Sequence, residues 1–469
     1  MVYPAADQLI TSWDSTFILG SVGNGNATLT VDGQPVRVYP NGAFMGYVAN
    51  PPLADPQYAL AAVLGADTVR ATQRVRVRNP AAAAVEPPVF DSTAEWVRVD
   101  DPTSALPDTD QTIVARPDPG ETYHWFLLPG TVAWRDGRLG GYTRLALDRE
   151  LHVWVPDSLT RPVDLARPPH RVTGNAAVVS APGYEDFIIP VGARPAYFVA
   201  QGARSLDLTL YDTRGSTDII RYPTGDSLIR RVDWAQVEDD RVRFTVHLDA
   251  APYGYLVLWD RGRLVLRVRR PPAVDPAHPL RGRVIAVDPG HPPAGATGPT
   301  GLYEGDAVLA VAERLKALLE ARGAAVVMTR TDSAPVALAE RPVIARRADA
   351  DAFVSVHLNA FPDGTNPFTA VEGSATYFYY DQSAPLARAV QTGLVGAMGL
   401  PDQGVLFRSL AVVRQTWMPS VLCEGAFVII PQQEAALRTA AFQDAYARGI
   451  ADGLAAYFRG LAAAAGTGR

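Results

Sequence analysis

Apolar and polar residues alternate through most of the first 270 positions, and beyond them the period changes. Residues 27–31 and 34–38 alternate on either side of Asp32-Gly33, which predicts a hairpin closed by a two-residue turn. Alternation at 68–77 completes a first small β-sandwich, and the same pattern at 206–210 and 242–246 predicts a second. Between them, short runs at 128–132, 140–144 and 152–155 predict a small β-barrel. Four prolines from Pro271 to Pro279 then form a stiff linker. After it, residues 284–287 read as a buried strand. Apolar positions Val308, Val311, Leu315, Leu318 and Leu319 make a helical stripe over 304–322, closed by Gly323. Strands follow at 326–328, 352–357, 374–380 and 420–424, with helices at 336–349, 384–397 and 439–458.

This order predicts a multidomain protein. An all-β N-terminal half of small sandwiches and a barrel precedes a C-terminal α/β domain whose mixed sheet is covered by helices. The expected boundaries are 1–88 (Ig-like sandwich), 89–166 (barrel), 167–270 (second sandwich), 271–280 (linker) and 281–463 (α/β domain). A chain of 469 residues exceeds what one core usually supports, which agrees with several domains. Charge changes the picture little. A net charge of -6, with Lys316 as the only lysine, offers no general attraction for nucleic acid or anionic lipid. No run is long and apolar enough for a membrane span. One cysteine, Cys423, excludes an intrachain disulfide and leaves the redox compartment open. The residues from Met1 to Ala5 lack the basic and apolar regions of a signal peptide.

Candidate chemistry lies after the linker. Of seven histidines, His278, His291 and His357 lie beyond residue 270, and His278 sits among the linker prolines as a solvated side chain. His291 follows the strand at 284–287, and His357 ends the strand at 352–357 on the face shared with Phe353 and Ser355. Glu304 opens a helix. Two imidazoles and one carboxylate form the ligand set of an open catalytic zinc site. Taken singly, His357 also reads as a hydrogen-bonded surface histidine, and Glu304 as a helix N-terminal charge.

Surrounding residues sharpen this. Val284-Ile285-Ala286-Val287-Asp288-Pro289-Gly290-His291, Tyr303-Glu304-Gly305-Asp306, Val327-Met328-Thr329-Arg330, Leu338-Ala339-Glu340-Arg341, Ser355-Val356-His357-Leu358-Asn359-Ala360 and Pro419-Ser420-Val421-Leu422-Cys423-Glu424-Gly425-Ala426-Phe427 occur in order between about 283 and 460. Together they resemble the zinc-dependent N-acetylmuramoyl-L-alanine amidases, with a phosphorylase/hydrolase-like fold. The resemblance implies one zinc held by His291, Glu304 and His357, with Glu424 as general base. It also implies a peptidoglycan substrate and a periplasmic or secreted location. Asn359, Arg408 and Arg414 are expected to bind substrate, the arginines by pairing with stem-peptide carboxylates. The alternatives are a non-catalytic wall-binding scaffold and a zinc peptidase.

The β-rich half resembles Ig-like, bacterial Src-homology-3-like and amidase-associated wall-targeting modules. In the second of these, Trp125, Trp134, Tyr142 and Trp154 are candidates for a binding groove or for core packing. Three features depart from the amidase pattern. Pro292-Pro293-Ala294-Gly295 replaces a Gly-rich stretch, Glu424-Gly425-Ala426-Phe427 stands where Glu-Leu-Gly-Phe is usual, and the Asn that usually follows is absent from Val428-Ile429-Ile430. The loop at 361–370 is too short for the plugging helix of some relatives, which predicts an open cleft. Cys423, turned from Glu424 by strand alternation, is expected in the core.

Overall fold

The computed structural model describes residues 1–78, 90–92, 94–101, 113–122, 124–225 and 227–466. In the first module the predicted hairpin joins Thr28–Val31 to Gln34–Val38. Asp32 and Gly33 both have positive φ, 50° and 78°, as a turn matched to strand twist requires. These strands belong to a six-stranded antiparallel sheet around Ile10, Ile18, Leu29, Phe44 and Tyr58. The second module is a five-stranded antiparallel sheet with a separate two-stranded hairpin, and the third is a sandwich of five- and four-stranded sheets packed through Phe187 and Phe244.

The four aromatic candidates of the second module do not gather in one groove. Trp154 is buried, Tyr142 lies 5.7 Å below the Arg116 guanidinium, and Trp125 meets His124. Trp134 pairs edge-to-face with Trp96 in a cleft of about 430 Å³ between the second and third modules. The charged groups of that cleft largely pair with one another, as in Arg149–Asp239 at 3.2 Å.

In the C-terminal domain the elements are β1 (Val284–Pro289), α1 (Glu304–Ala321), β2 (Ala325–Met328), α2 (Glu340–Arg347), β3 (Ala352–Asn359), β4 (Ser374–Phe378), α3 (Ala384–Met398), β5 (Asp402–Phe407), β6 (Ser420–Phe427), α4 (Pro431–Leu437) and α5 (Ala440–Gly466). The sheet order is β2-β1-β3-β6-β4-β5, with all neighbours parallel except β4 against β6. Buried apolar residues of α1, α3 and α5 cover the face that carries Val287, Val354, Val356 and Cys423. Ala345 of α2 and the segment with Val412, Val413 and Met418 cover the other, which carries Ala286, Phe353 and Leu422. Cys423 is therefore a core residue, as alternation requires. The second helix is shorter than periodicity suggested, and β6 runs three residues past Glu424. Among the described residues no helix is long and apolar enough to cross a membrane.

The prolines at 271–279 join domains more than they separate them. Tyr253 from the third module and Leu280 both enter the core of the C-terminal domain. Arg269, nearly buried, donates to the carbonyls of Ala350 (2.6 Å) and Asp349 (3.0 Å) and pairs with Asp351 at 3.4 Å. Truncating it leaves two carbonyls without their donor and takes one of two arginines from Asp351, which keeps Arg283 at 3.5 Å and the Val284 amide at 3.0 Å, so Arg269→Ala should cost about 2–3 kcal/mol in denaturant unfolding. A loss under about 1 kcal/mol would show that the two domains are not coupled here.

The first module docks as well. Phe17, Leu19 and Met45 share the same core, and the Asp363 carboxylate in the β3–β4 loop accepts bonds from the Thr11 amide (2.6 Å) and the Thr11 (2.9 Å) and Thr16 (2.5 Å) hydroxyls. That loop holds turns and no helix.

Candidate active site

The site is built on the end of β1. Asp288 is fully buried and accepts hydrogen bonds from Thr329 Oγ1 (2.5 Å), Ser355 Oγ (2.6 Å) and Arg341 Nη1 (2.8 Å). Arg341 also donates to the carbonyls of Pro289 (2.8 Å) and Pro292 (2.9 Å). Arg330 donates to those of Pro289 (2.9 Å), Gly290 (2.7 Å) and Gly305 (2.7 Å). An irregular loop has carbonyls with no ladder to join, and two buried guanidiniums satisfy them here. The loop passes so close to β3 that a Cβ on Gly290 would lie 2.3 Å from the His357 ring, which excludes any side chain at that position. Asp288→Ala would leave the Arg341 charge and two hydroxyls unpaired and should destabilise by about 3–5 kcal/mol. Chemical denaturation measures this, and an unchanged midpoint would refute the role.

Glu304, the first residue of α1, is 3% exposed. Its Oε2 lies 3.2 Å from His291 Nε2 and its Oε1 3.2 Å from His357 Nδ1. The Ala296 and Leu358 amides donate to the same carboxylate, each at 3.0 Å. The two imidazoles meet at 80° with centroids 4.9 Å apart, and ligand atoms of the three residues all lie within 4.8 Å of one another. Burial works against charge on Glu304, but bonds from both histidines outweigh it and hold its carboxyl far below the usual range. Burial likewise opposes protonation of His291, yet Glu304 and the Pro293 carbonyl raise its pKa. His291 Nδ1 lies 3.2 Å from Pro293 O, so a ring that gave up its Nε2 proton to a cation would keep the Nδ1 proton on that carbonyl and present the Nε2 lone pair as a ligand. The donor set, the oriented imidazole and the ionised carboxylate all fit a zinc ion.

Beside this cluster stands Glu424. It is the register partner of His357 across the parallel β3–β6 pair. Its Oε2 is buried, and among the described residues no group hydrogen-bonds to it. Burial pushes its pKa well up, the Glu304 charge adds to that, and Arg408 offsets part of it. Arg408 is exposed, with its guanidinium 5.9 Å from the Tyr377 ring centroid. Asn359 lies just past a register shift in β3, and its Oδ1 accepts from the Ala360 amide at 2.9 Å. Arg414 departs from expectation. It is buried, bonded to Ser409 Oγ at 3.2 Å and lies 5.8 Å from the Phe126 ring of the second module, which places it at a seam between domains.

Sequence reasoning missed the roles of Asp288, Arg330 and Arg341. The available signal was charged residues directly abutting apolar strand and helix positions, where burial without partners is costly.

The family model for N-acetylmuramoyl-L-alanine amidase matches residues 285–456. An uncharacterized protein of Bacillus subtilis (strain 168), YqiI, is 33% identical over 193 residues, which are 40% of this chain and 90% of that protein. The chain belongs to the N-acetylmuramoyl-L-alanine amidase family. LytC of the same organism, named an N-acetylmuramoyl-L-alanine amidase, is 35% identical over 170 residues, 35% of this chain. The match spans 33% of LytC's own length. The solved structure of the amidase AmiC2 of Nostoc punctiforme shares 32% identity, with 37% of this chain and 96% of that one covered at a TM-score of 0.35. Within the amidase domain, the matched span contains all three residues of the His–Glu–His cluster and Glu424.

Proposed function

We propose that this protein hydrolyses the amide between the lactyl group of N-acetylmuramic acid and the L-alanine of the stem peptide in peptidoglycan. In this reading His291, Glu304 and His357 hold one zinc ion and Glu424 is the general base. The observation that carries it is a half-buried glutamate whose Oε2 is buried with no hydrogen-bond partner among the described residues, in register with one member of a His–Glu–His cluster. An unpaired buried carboxyl is costly, and such cost is commonly retained where chemistry uses it. Family membership and the names of the relatives support the substrate class.

A zinc ion bound at this donor set would supply Lewis acidity, lowering the pKa of a coordinated water toward about 7 and polarising the lactyl carbonyl. Glu424 takes the proton of the attacking water and passes it to the departing alanine nitrogen. Its raised pKa favours both steps, because the carboxylate is then a better base and the carboxylic acid persists nearer neutral pH. Arg408, exposed on the same side as Glu424, is suited to pair with a stem-peptide carboxylate. The three β modules hold the amidase domain at the wall, in the periplasm or outside the cell.

Digestion of purified peptidoglycan tests this. New alanine amino groups should appear in step with freed lactyl carboxyls. Bound zinc with no such products would leave the peptidase or scaffold readings.

A further inference from the structure

Between His357 and Asn359 the β3–β6 ladder slips register. A slip leaves backbone groups without their ladder partners, and inside a core each must be satisfied by another route. Here one side chain reaches the backbone at the slip. The Tyr446 ring comes from α5 and is fully buried. Its hydroxyl accepts a bond from the Gly425 amide (2.9 Å) and lies within donating distance of the Cys423 carbonyl (2.8 Å) and the His357 carbonyl (2.9 Å). One phenolic proton serves the two carbonyls and one oxygen lone pair takes the amide, so the hydroxyl's capacity is filled. The three backbone groups belong to His357 itself and to the two neighbours of Glu424.

Room for the ring depends on Gly425. A Cβ there would lie 2.2 Å from the Tyr446 ring, so the ring occupies the space a side chain would need. Gly425 also stands where the resemblance leads one to expect leucine. The two unusual features of this strand, a glycine after the glutamate and a slipped ladder, are thus filled by one phenol from a different element.

We propose that Tyr446 is a positioning residue for catalysis, setting the distance between His357 and Glu424 by pinning the backbone of both strands at the slip. The inference rests on the proposed roles of those two residues. The bonds of the Tyr446 hydroxyl all go to backbone groups. Its effect reaches the chemistry through backbone alone, and displacement of a reacting group by about 1 Å can cost about 100-fold in rate.

The test is Tyr446→Phe in the full chain, which keeps the ring and removes the hydroxyl. With purified peptidoglycan and a soluble muramoyl peptide, kcat should fall about 10- to 100-fold while KM changes less than about twofold. Bound zinc per chain should stay near that of the unmodified protein at saturating zinc. Leu454→Ala, in the same helix and about 12 Å further along it, controls for lost stability, since it empties core volume away from the slip. It should lower the melting temperature at least as much and leave kcat within about twofold. Gly425→Ala, which crowds the ring out, should reproduce the Tyr446→Phe phenotype if that variant folds poorly. A Tyr446→Phe protein with unaltered kcat, or a Leu454→Ala protein with the same kcat loss, overturns the proposal. Failure of the underlying reading looks different, because Glu424→Gln would then retain activity whatever Tyr446 does.

Discussion

Glu424→Gln should lower kcat on peptidoglycan about 1,000-fold while leaving bound zinc and thermal stability nearly unchanged. General acid–base catalysis contributes about 10²- to 10⁴-fold, and here one group both takes a proton from water and delivers one to the leaving amine. A loss of about 1,000-fold is about 4 kcal/mol of transition-state stabilisation. The substitution is nearly isosteric, so β6 keeps its packing. Glu424 Oε2 is buried with no bond from any described residue, so the amide breaks no protein contact at that atom. Relieving an unpaired acidic group could even raise the melting temperature slightly. Activity assays, zinc analysis and a thermal melt on one preparation check all three parts. Activity within about tenfold of the unmodified protein would remove Glu424 from the mechanism.

Removing the metal should be as severe. Chelation is expected to lower activity by at least about 1,000-fold, and added zinc should restore it. His357→Ala should lose activity that zinc cannot restore. The reason lies in the cluster's electrostatics. Glu304 is buried and ionised, and in the absence of a cation its charge is balanced by two histidines and two amides. Loss of His357 removes one ligand and one of those partners together. The variant should therefore also unfold at lower denaturant, by about 1–3 kcal/mol. For the unmodified protein the melting temperature should rise with zinc concentration, because a ligand that binds only the folded state stabilises it. A melting temperature indifferent to zinc would contradict the assignment of these residues as ligands.

Much of this was legible in the linear chain, for identifiable reasons. Alternation marks half-buried strands because successive side chains point to opposite faces, and the first hairpin appears where Asp32-Gly33 placed it. Four of the five stripe residues of α1, Val308, Val311, Leu315 and Leu319, are buried, and Leu318 is half-buried. His291, Glu304 and His357 were readable because ligand types are few and each sits at the end or start of a regular element. Cys423 and Glu424 separated correctly by parity alone.

Other features had no local signature. Arg414 looked like a substrate group by its nearness to Glu424 in the chain, yet it lies under Phe126 of another module. The proline run looked like a spacer, yet Arg269 and Tyr253 on one side of it lock into the domain on the other. Asp288, Arg330 and Arg341 acquire their roles only when strands and helices 40 to 53 residues apart bring them to the same loop. Tyr446 is the clearest case, since its hydroxyl serves backbone groups 21 to 89 residues away. By itself the sequence determined the order of elements, the faces they bury and the residue types that can hold a metal, because periodicity and ligand chemistry are local. The tertiary structure alone decided which buried polar groups meet, because hydrogen-bond and charge satisfaction in a core is settled between segments and leaves no period in the chain.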